Sequence, residues 1–272
     1  MNRHTDESIM STSEHDPSNE MSSWPMGGVD AELGRLQTTY FPSLIEADIA
    51  GLLNDPILAD TVIVSSFGAE SAALLHYVTG IRPGIPVIFL DTGKHFPETL
   101  AYRDALVGRL GLRLIVTRPD TGTLADEDPH GQLYAVNPNG CCTIRKTFPL
   151  QDALAEVSSW ISGRKRFQGA SRAALPLIER DGTRIKLNPF ALWSREDIQA
   201  YFETHDLPRH PLETAGYPSI GCAPCTRAVA AGEDPRAGRW PQMPDKSECG
   251  IHLGPDGHFV RGSATRNTKG ET

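Results

Sequence analysis

The sequence contains no apolar run approaching the roughly 18 residues a membrane-spanning helix needs, so no such segment is expected. Its N-terminus has no apolar signal core. Met1 to about Gly28 is polar, crowded with Ser, Asp, Glu and Asn, and lacks the Arg-rich, acid-poor character of a transit peptide. We read residues 1–28 as a disordered leader and expect a cytoplasmic protein. Positive charge is in deficit: 26 Lys and Arg stand against 34 Asp and Glu, a net charge of −8. That balance argues against a chain that coats nucleic acid or anionic lipid, so neither is an expected partner. The Gly-Lys-Ser/Thr ending of a Walker loop is missing, and no internal repeat is visible. Cysteine is scarce, five in 272 residues, and in a reducing cytoplasm structural disulfides are not expected.

The few cysteines are unevenly placed. Four form two tight pairs, Cys141-Cys142 and Cys222-Ala223-Pro224-Cys225, and Cys249 stands alone in Glu248-Cys249-Gly250-Ile251-His252. Spacing of the Cys-x-x-Cys type serves zinc sites, redox dithiols and iron–sulfur centres. Adjacent thiolates strain the backbone around one tetrahedral zinc, whereas on a 4Fe–4S cube each can meet its own iron. A redox dithiol belongs at a helix start after a strand, and Pro218 to Pro224 does not read that way. Arg145 and Lys146 flank the first pair and would offset the negative charge of a thiolate-ligated cube. Around Cys249, Glu248 and Asp245 disfavour a thiolate, so reactivity there needs cations from elsewhere, such as Arg236, Arg239 or His252. An inert tail thiol is the plain alternative.

Periodicity places these motifs on an α/β frame. Apolar residues recur at helical spacing from Asp30 to Leu53, interrupted near Pro42. Thr61 to Ser65 and Pro86 to Leu90 read as buried strands, with a helix over Ala69 to Val78 between them. Pro97 opens a helix to about Leu110, and Leu112 to Val116 reads as a third strand. Strand–helix alternation with short connections predicts a parallel twisted sheet with helices on both faces. Further along, Phe148 to Trp160 reads as a helix, Lys165 to Gly169 as a strand end with a loop, and Ile185 to Pro189 as a short strand. Ser194 is an expected N-cap for a helix over Arg195 to Thr204. From Pro208 the chain is rich in Pro and Gly, which predicts a loop-rich C-terminal segment. We divide the chain into the leader, an α/β domain over 29–240 and a mobile tail over 241–272.

Ligands of such sheets bind beyond the carboxyl ends of the strands. Ser65, Ser66 and Gly68 lie at one such end, where small residues and a helix N-terminus can face an anion. Asp91, Thr92 and Gly93 lie at another. Arg164-Lys165-Arg166 with Arg172, and Arg236 with Arg239, form basic clusters that suit a small anionic ligand or a solvated loop equally well.

Taken in order, the motifs resemble the cluster-containing adenylyl-sulfate (APS) reductases of the assimilatory sulfonucleotide reductase family. They are Ser-Ser-Phe-Gly-Ala-Glu at 65–70, Leu-Asp-Thr-Gly at 90–93, Cys-Cys-Thr-Ile-Arg-Lys at 141–146 and Gly163-Arg164-Lys165-Arg166 with Gln168 and Arg172. Gly-Tyr-Pro-Ser-Ile-Gly-Cys-Ala-Pro-Cys-Thr at 216–226, Arg236-Ala237-Gly238-Arg239-Trp240 and Glu-Cys-Gly-Ile-His at 248–252 complete the set. The resemblance implies an adenine nucleotide α-hydrolase-like fold. It also implies a 4Fe–4S cluster on Cys141, Cys142, Cys222 and Cys225, tuned by Lys146, and a nucleophile at Cys249. APS is the implied substrate, bound by Ser65, Ser66, Gly68, Asp91, Thr92, Gly93, Gly163, Lys165, Arg172, Arg236 and Arg239. The implied reaction yields sulfite and AMP through an S-sulfocysteine, in sulfate assimilation and cysteine biosynthesis. Reduced thioredoxin, or a glutaredoxin-like donor, is the implied partner, and self-association is left open. The 3′-phosphorylated nucleotide, PAPS, is the alternative substrate, alone or alongside APS. A cluster-bearing tRNA-thiolating ATP pyrophosphatase is a more distant alternative, disfavoured by the missing Ser-Gly-Gly-x-Asp-Ser loop and by the acidic charge. A zinc-stabilised nucleotide-binding module with an inert Cys249 is the non-enzymatic one.

Overall fold

Strands buried on both faces must be apolar throughout, and their alternate residues must then enter two different cores. The computed structural model, which describes residues 28–42, 47–169, 172–243, 246, 248 and 250, is built this way. Strands β1 (Val62–Val64), β2 (Pro86–Leu90), β3 (Arg113–Thr117), β4 (Ser159–Ile161), β5 (Ile178–Asp181) and β6 (Arg184–Leu187) form one sheet among the described residues. Their order is β3-β2-β1-β4-β6-β5, parallel except for β5, which runs antiparallel at the edge. Ile63, Val87, Phe89, Ile161, Ile185 and Leu187 point into the larger core. Val62, Ile88, Leu90 and Trp160, their neighbours in the chain, point into the smaller one on the opposite face.

Helices cover both faces, as expected. On the larger core lie α1 (Gly28–Tyr40), α2 (Ile49–Leu53), α3 (Ser71–Ile81), α4 (Pro97–Leu110) and α9 (Arg195–Thr204), contributing Leu36, Leu52, Leu75, Leu106 and Phe202 among others. The short helices α5 (Thr121–Glu127), α6 (Leu133–Val136) and α7 (Pro138–Cys142) lead to α8 (Phe148–Ala153), whose Leu150 packs on the smaller core. Helix α9 starts at Ser194 with a reciprocal capping box: Ser194 Oγ accepts from Asp197 N at 3.0 Å and Asp197 Oδ2 from Ser194 N at 2.8 Å. None of the described helices is long and apolar enough to cross a membrane.

Two expectations are corrected. The helix expected over Phe148 to Trp160 ends at Ala153, and Ser159–Ile161 is instead the strand beside β1. Its polar start is explained by its neighbours. The Asp60 carboxylate accepts from Ser158 N at 2.7 Å and from the Ser158 hydroxyl, while Thr61 and Ser159 share a buried hydroxyl pair. The strand end expected at Lys165 to Gly169 therefore falls earlier, and Arg166–Gln168 is a 3₁₀ turn. Strand β5 has no counterpart in the sequence reading. The expected leader lies outside the described residues except for Gly28, which opens α1. The expected tail lies outside them except for 241–243, 246, 248 and 250. Between Pro208 and Met243 the one regular element described is a 3₁₀ turn, Ala223–Cys225, in keeping with the loop-rich expectation.

Candidate active site

Strand order reverses direction between β1 and β4, and a crevice opens beyond the carboxyl ends of strands at such a point. A large cleft lies there. The end of β1 contributes Ser65, Ser66 and Gly68, the segment after β4 contributes Ser162, Gly163 and Lys165, and Leu90 ends β2. Ser65 Oγ accepts from Phe67 N at 3.2 Å, and Phe67 is held at φ 50°, in the left-handed region that bulky residues avoid. Its buried ring packs edge-on against Phe89, with centroids 5.5 Å apart.

The far wall is cationic. Arg172, Arg236 and Arg239 all line the cleft, with Arg164, Lys165 and Lys146 beside them. Lys165 is fully buried, and burial pushes its ammonium down despite Glu70 Oε2 at 2.9 Å; it also donates to Gly163 O at 2.9 Å. Gln168 joins this group, donating to Glu70 Oε2 at 2.8 Å and accepting from Arg172 Nη1. The remaining edge of Arg172 grips Glu248 in a two-point pair, Nε to Oε1 at 2.6 Å and Nη2 to Oε2 at 2.8 Å, with Arg236 Nη2 3.8 Å from Oε2. Burial pushes the Glu248 carboxyl up, but Arg172, Arg236 and Arg164 outweigh it and hold it below the ordinary range.

A second, smaller cavity adjoins the cleft and is lined by Cys141, Cys142, Cys222 and Cys225. Lys146 and Arg239 line both spaces. Cys141 and Cys142 end α7, whose N-cap Asn137 accepts from Gly140 N at 2.9 Å; a π-helical turn, Thr143–Thr147, follows. Consecutive helical residues point about 100° apart, so adjacent thiols diverge. Among the described residues no three ligand-type side chains close on one point as they would around a single ion. Burial pushes the Cys141 thiol up to about 12, with Cys142, Cys222 and Cys225 adding to it against Arg145. Cys225 is likewise raised by burial and by Cys222. Arg239 Nε is buried and has no hydrogen-bond partner among the described residues. Its guanidinium approaches Gly221 so closely that a Cβ there would lie 2.2 Å from Nη2.

The loop after β2 joins the two cysteine pairs. Asp91, Thr92 and Gly93 engage the cysteine-bearing segments and the adjoining chain; Leu90 and His95, on either side of them, line the cleft. Thr92 Oγ1 lies 3.3 Å from Cys222 Sγ, and Lys94 O accepts from Ala223 N at 2.7 Å. Buried Arg145 donates to Thr92 O at 2.8 Å and to Asp128 Oδ2 at 2.6 Å, tying the first cysteine pair to the same loop. Asp91 pairs with Arg118 at 3.1 Å and accepts from Gly93 N at 3.1 Å.

A family model described as the phosphoadenosine phosphosulfate reductase domain matches residues 60–228. The chain belongs to the phosphoadenosine phosphosulfate reductase family. A protein of Mesorhizobium japonicum named adenosine 5′-phosphosulfate reductase is 49% identical over 227 residues, 83% of this chain and 86% of its own. One of the same name from a Chelativorans species is 49% identical over 191 residues, 70% of this chain and 78% of its own. The crystal structure of phosphoadenylyl-sulfate (PAPS) reductase from Candida auris, a phosphate complex, shares the fold. Its TM-score is 0.59 at 23% identity, covering 73% of this chain and 97% of that one.

Within this reductase family chain, the site gives these residues partners that spacing did not reveal. Glu70 and Gln168 orient Arg172, Arg145 is committed to Asp128 and Thr92, and Glu248 is met by arginines rather than left to oppose a thiolate. Glu70 was legible only as part of a motif, since nothing in its spacing points to a partner at 165 or 168. Cys249 lies outside the described residues. Its neighbours Glu248 and Gly250 are described, the latter's carbonyl accepting from Thr147 Oγ1 at 3.4 Å.

Proposed function

We infer that this chain reduces adenosine 5′-phosphosulfate to sulfite and AMP, as an enzyme of sulfate assimilation. The observation that carries this is 49% identity to a protein of that name across most of both chains. A cation-lined cleft at the carboxyl edge of the sheet supports it, because it offers charge-assisted hydrogen bonds to a phosphosulfate.

In this reading Ser65, Ser66, Gly68 and Gly163 face the nucleotide, and Arg172, Arg236 and Arg239 hold its anion, with Lys165 setting the electrostatics from beneath. Leu90 and His95 line the nucleotide side of the loop after β2, and Asp91, Thr92 and Gly93, which are not among the cleft-lining residues, back them from the cysteine side. Cys141, Cys142, Cys222 and Cys225 hold a 4Fe–4S cluster. The shared cavity, the raised thiols and the unpartnered Arg239 Nε fit that group. Bound there, the group would supply a compact block of charge beside the cleft. Lys146, on the wall between the cavity and the cleft, relays that charge to the substrate side.

The Cys249 thiolate attacks the sulfate sulfur, the bond from sulfur to the bridging oxygen breaks, and AMP leaves with that electron pair. An S-sulfocysteine remains, dividing one difficult step into two. A thiol of reduced thioredoxin then attacks the Cys249 sulfur and releases sulfite. Its second thiol resolves the mixed disulfide, so the donor supplies both electrons. Cys249→Ser is expected to lose sulfite release, measured with thioredoxin and APS, while keeping nucleotide binding, iron and labile sulfide. Full activity in that variant would remove Cys249 from its role, and a colourless zinc protein would remove the cluster. Running the assay in parallel on the 3′-phosphorylated nucleotide decides between the two substrates.

A further inference from the structure

The Arg172 fork is fully occupied by a carboxylate from a segment 76 residues further along the chain. The guanidinium's orientation does not depend on that carboxylate. Gln168 Oε1 takes Nη1, and Gln168 is in turn held by its 2.8 Å bond to Glu70 and by accepting from Lys165 N at 3.1 Å. Removing Glu248 would therefore leave an aimed fork with Nε and Nη2 exposed to the cleft. Two parallel N–H donors match carboxylate, phosphate and sulfate oxygens equally well. Of the basic side chains around it, Arg164 is committed to Glu179 and Lys165 to Glu70, while Arg236 Nη2 approaches the same Glu248 carboxylate at 3.8 Å.

We propose that Glu248 is a placeholder for the substrate's phosphosulfate, the carboxylate and the nucleotide's anion being alternative occupants of Arg172. This rests on the function inferred above. Glu248 keeps a buried guanidinium paired while the cleft is empty, which avoids the cost of an unpartnered buried cation. Substrate arrival replaces one anion by another on the same fork. Glu248 is thus a positioning residue that makes no bond to the reacting atoms.

The test uses the cluster-loaded full chain in a Cys249→Ser background, so that binding is read without turnover. Glu248→Gln should tighten APS binding by about tenfold in calorimetric titration, the scale of one charge-assisted contact no longer displaced. Adenosine, which carries no anion, should bind as before, and Glu248→Asp, which keeps the charge, should bind APS no tighter than its parent. Unchanged or weakened APS binding in Glu248→Gln overturns the proposal, as does equal tightening by adenosine or in Glu248→Asp. Sulfite release from APS by the wild-type chain is measured alongside. Its absence would overturn the functional reading itself, whereas its presence with no gain in Glu248→Gln overturns the placeholder alone.

Discussion

Lys186→Met is expected to stabilise this protein at pH 7. Lys186 is 1% exposed on β6, in register between Trp160 of β4 and Glu179 of β5. Its ammonium lies 4.4 Å from the Trp160 ring centroid and 3.6 Å from Glu179 Oε1. Burial pushes its pKa down and Arg164 adds to that, while Glu179 and Asp181 offset it only in part, leaving it at about 8 against 10.5. A folded value below the unfolded one means that folding disfavours the charged amine. Lys186's contribution is therefore intact above pH 10.5 and lost as pH falls through 8. The gap corresponds to roughly 3 kcal/mol at about 1.4 kcal/mol per pH unit. Methionine fills a similar volume but gives up the attraction to Trp160, worth about 1–2 kcal/mol. The net gain at pH 7 is then about 1–2 kcal/mol. Glu179 keeps Arg164 and the amide of Asn188, 3.1 Å away. Urea unfolding at pH 7 and pH 10 reads both effects. The variant should lead at pH 7, and its lead should shrink at pH 10 as the wild-type lysine loses its proton. A variant less stable at pH 7, or a lead that does not change with pH, would refute the reasoning.

Two further outcomes follow from buried polar groups. Arg145→Met leaves Asp128, whose carboxylate is 2% exposed, without its guanidinium, and should cost about 3–5 kcal/mol in urea unfolding. Adding Asp128→Asn should recover much of that loss, and strictly additive losses would show that the pair is not coupled. His210 is fully buried, its Nδ1 accepting from Leu212 N at 3.1 Å, so the ring proton belongs on Nε2, 3.0 Å from Thr99 Oγ1. Burial pushes His210 down to about 4, so its contribution is present above pH 6.5 and lost as pH falls toward 4. The loss reaches up to about 3 kcal/mol. His210→Asn should flatten the acid limb of a stability-versus-pH curve, and an unchanged limb would count against this assignment.

The parts of the fold legible in the sequence are those whose local signals agree with their burial. Pro86–Leu90 is apolar at every position because both faces are covered, and Pro97–Leu110 opens on proline and ends before Gly111 at φ 60°. β4 was hidden because its polar residues are satisfied by partners about 98 positions away, Asp60 and Thr61, which no local window contains. β5 was hidden because an edge strand carries charge: Glu179, Arg180 and Asp181 look like loop until Lys186 and Trp160 are seen to bond to them. In the site, the cysteine pairs and the basic clusters were legible as types. What spacing could not supply was commitment. Arg145, Lys165 and Arg172 look interchangeable in the sequence, yet each is given to a different carboxylate.

The cavity holding both cysteine pairs has a bearing on how the protein is made. β4, β5 and β6 all lie between the pairs in the chain, so a ribosome releases the first pair long before the second exists. Cys222 pairs with His95 across an isolated backbone bridge, on the loop that follows β2. The pocket can close only once residues 222–225 have been made. A nascent chain stalled before residue 222 would thus present two adjacent thiols with half their companions missing, at the moment they are most open to oxidation or to capture of the wrong ion.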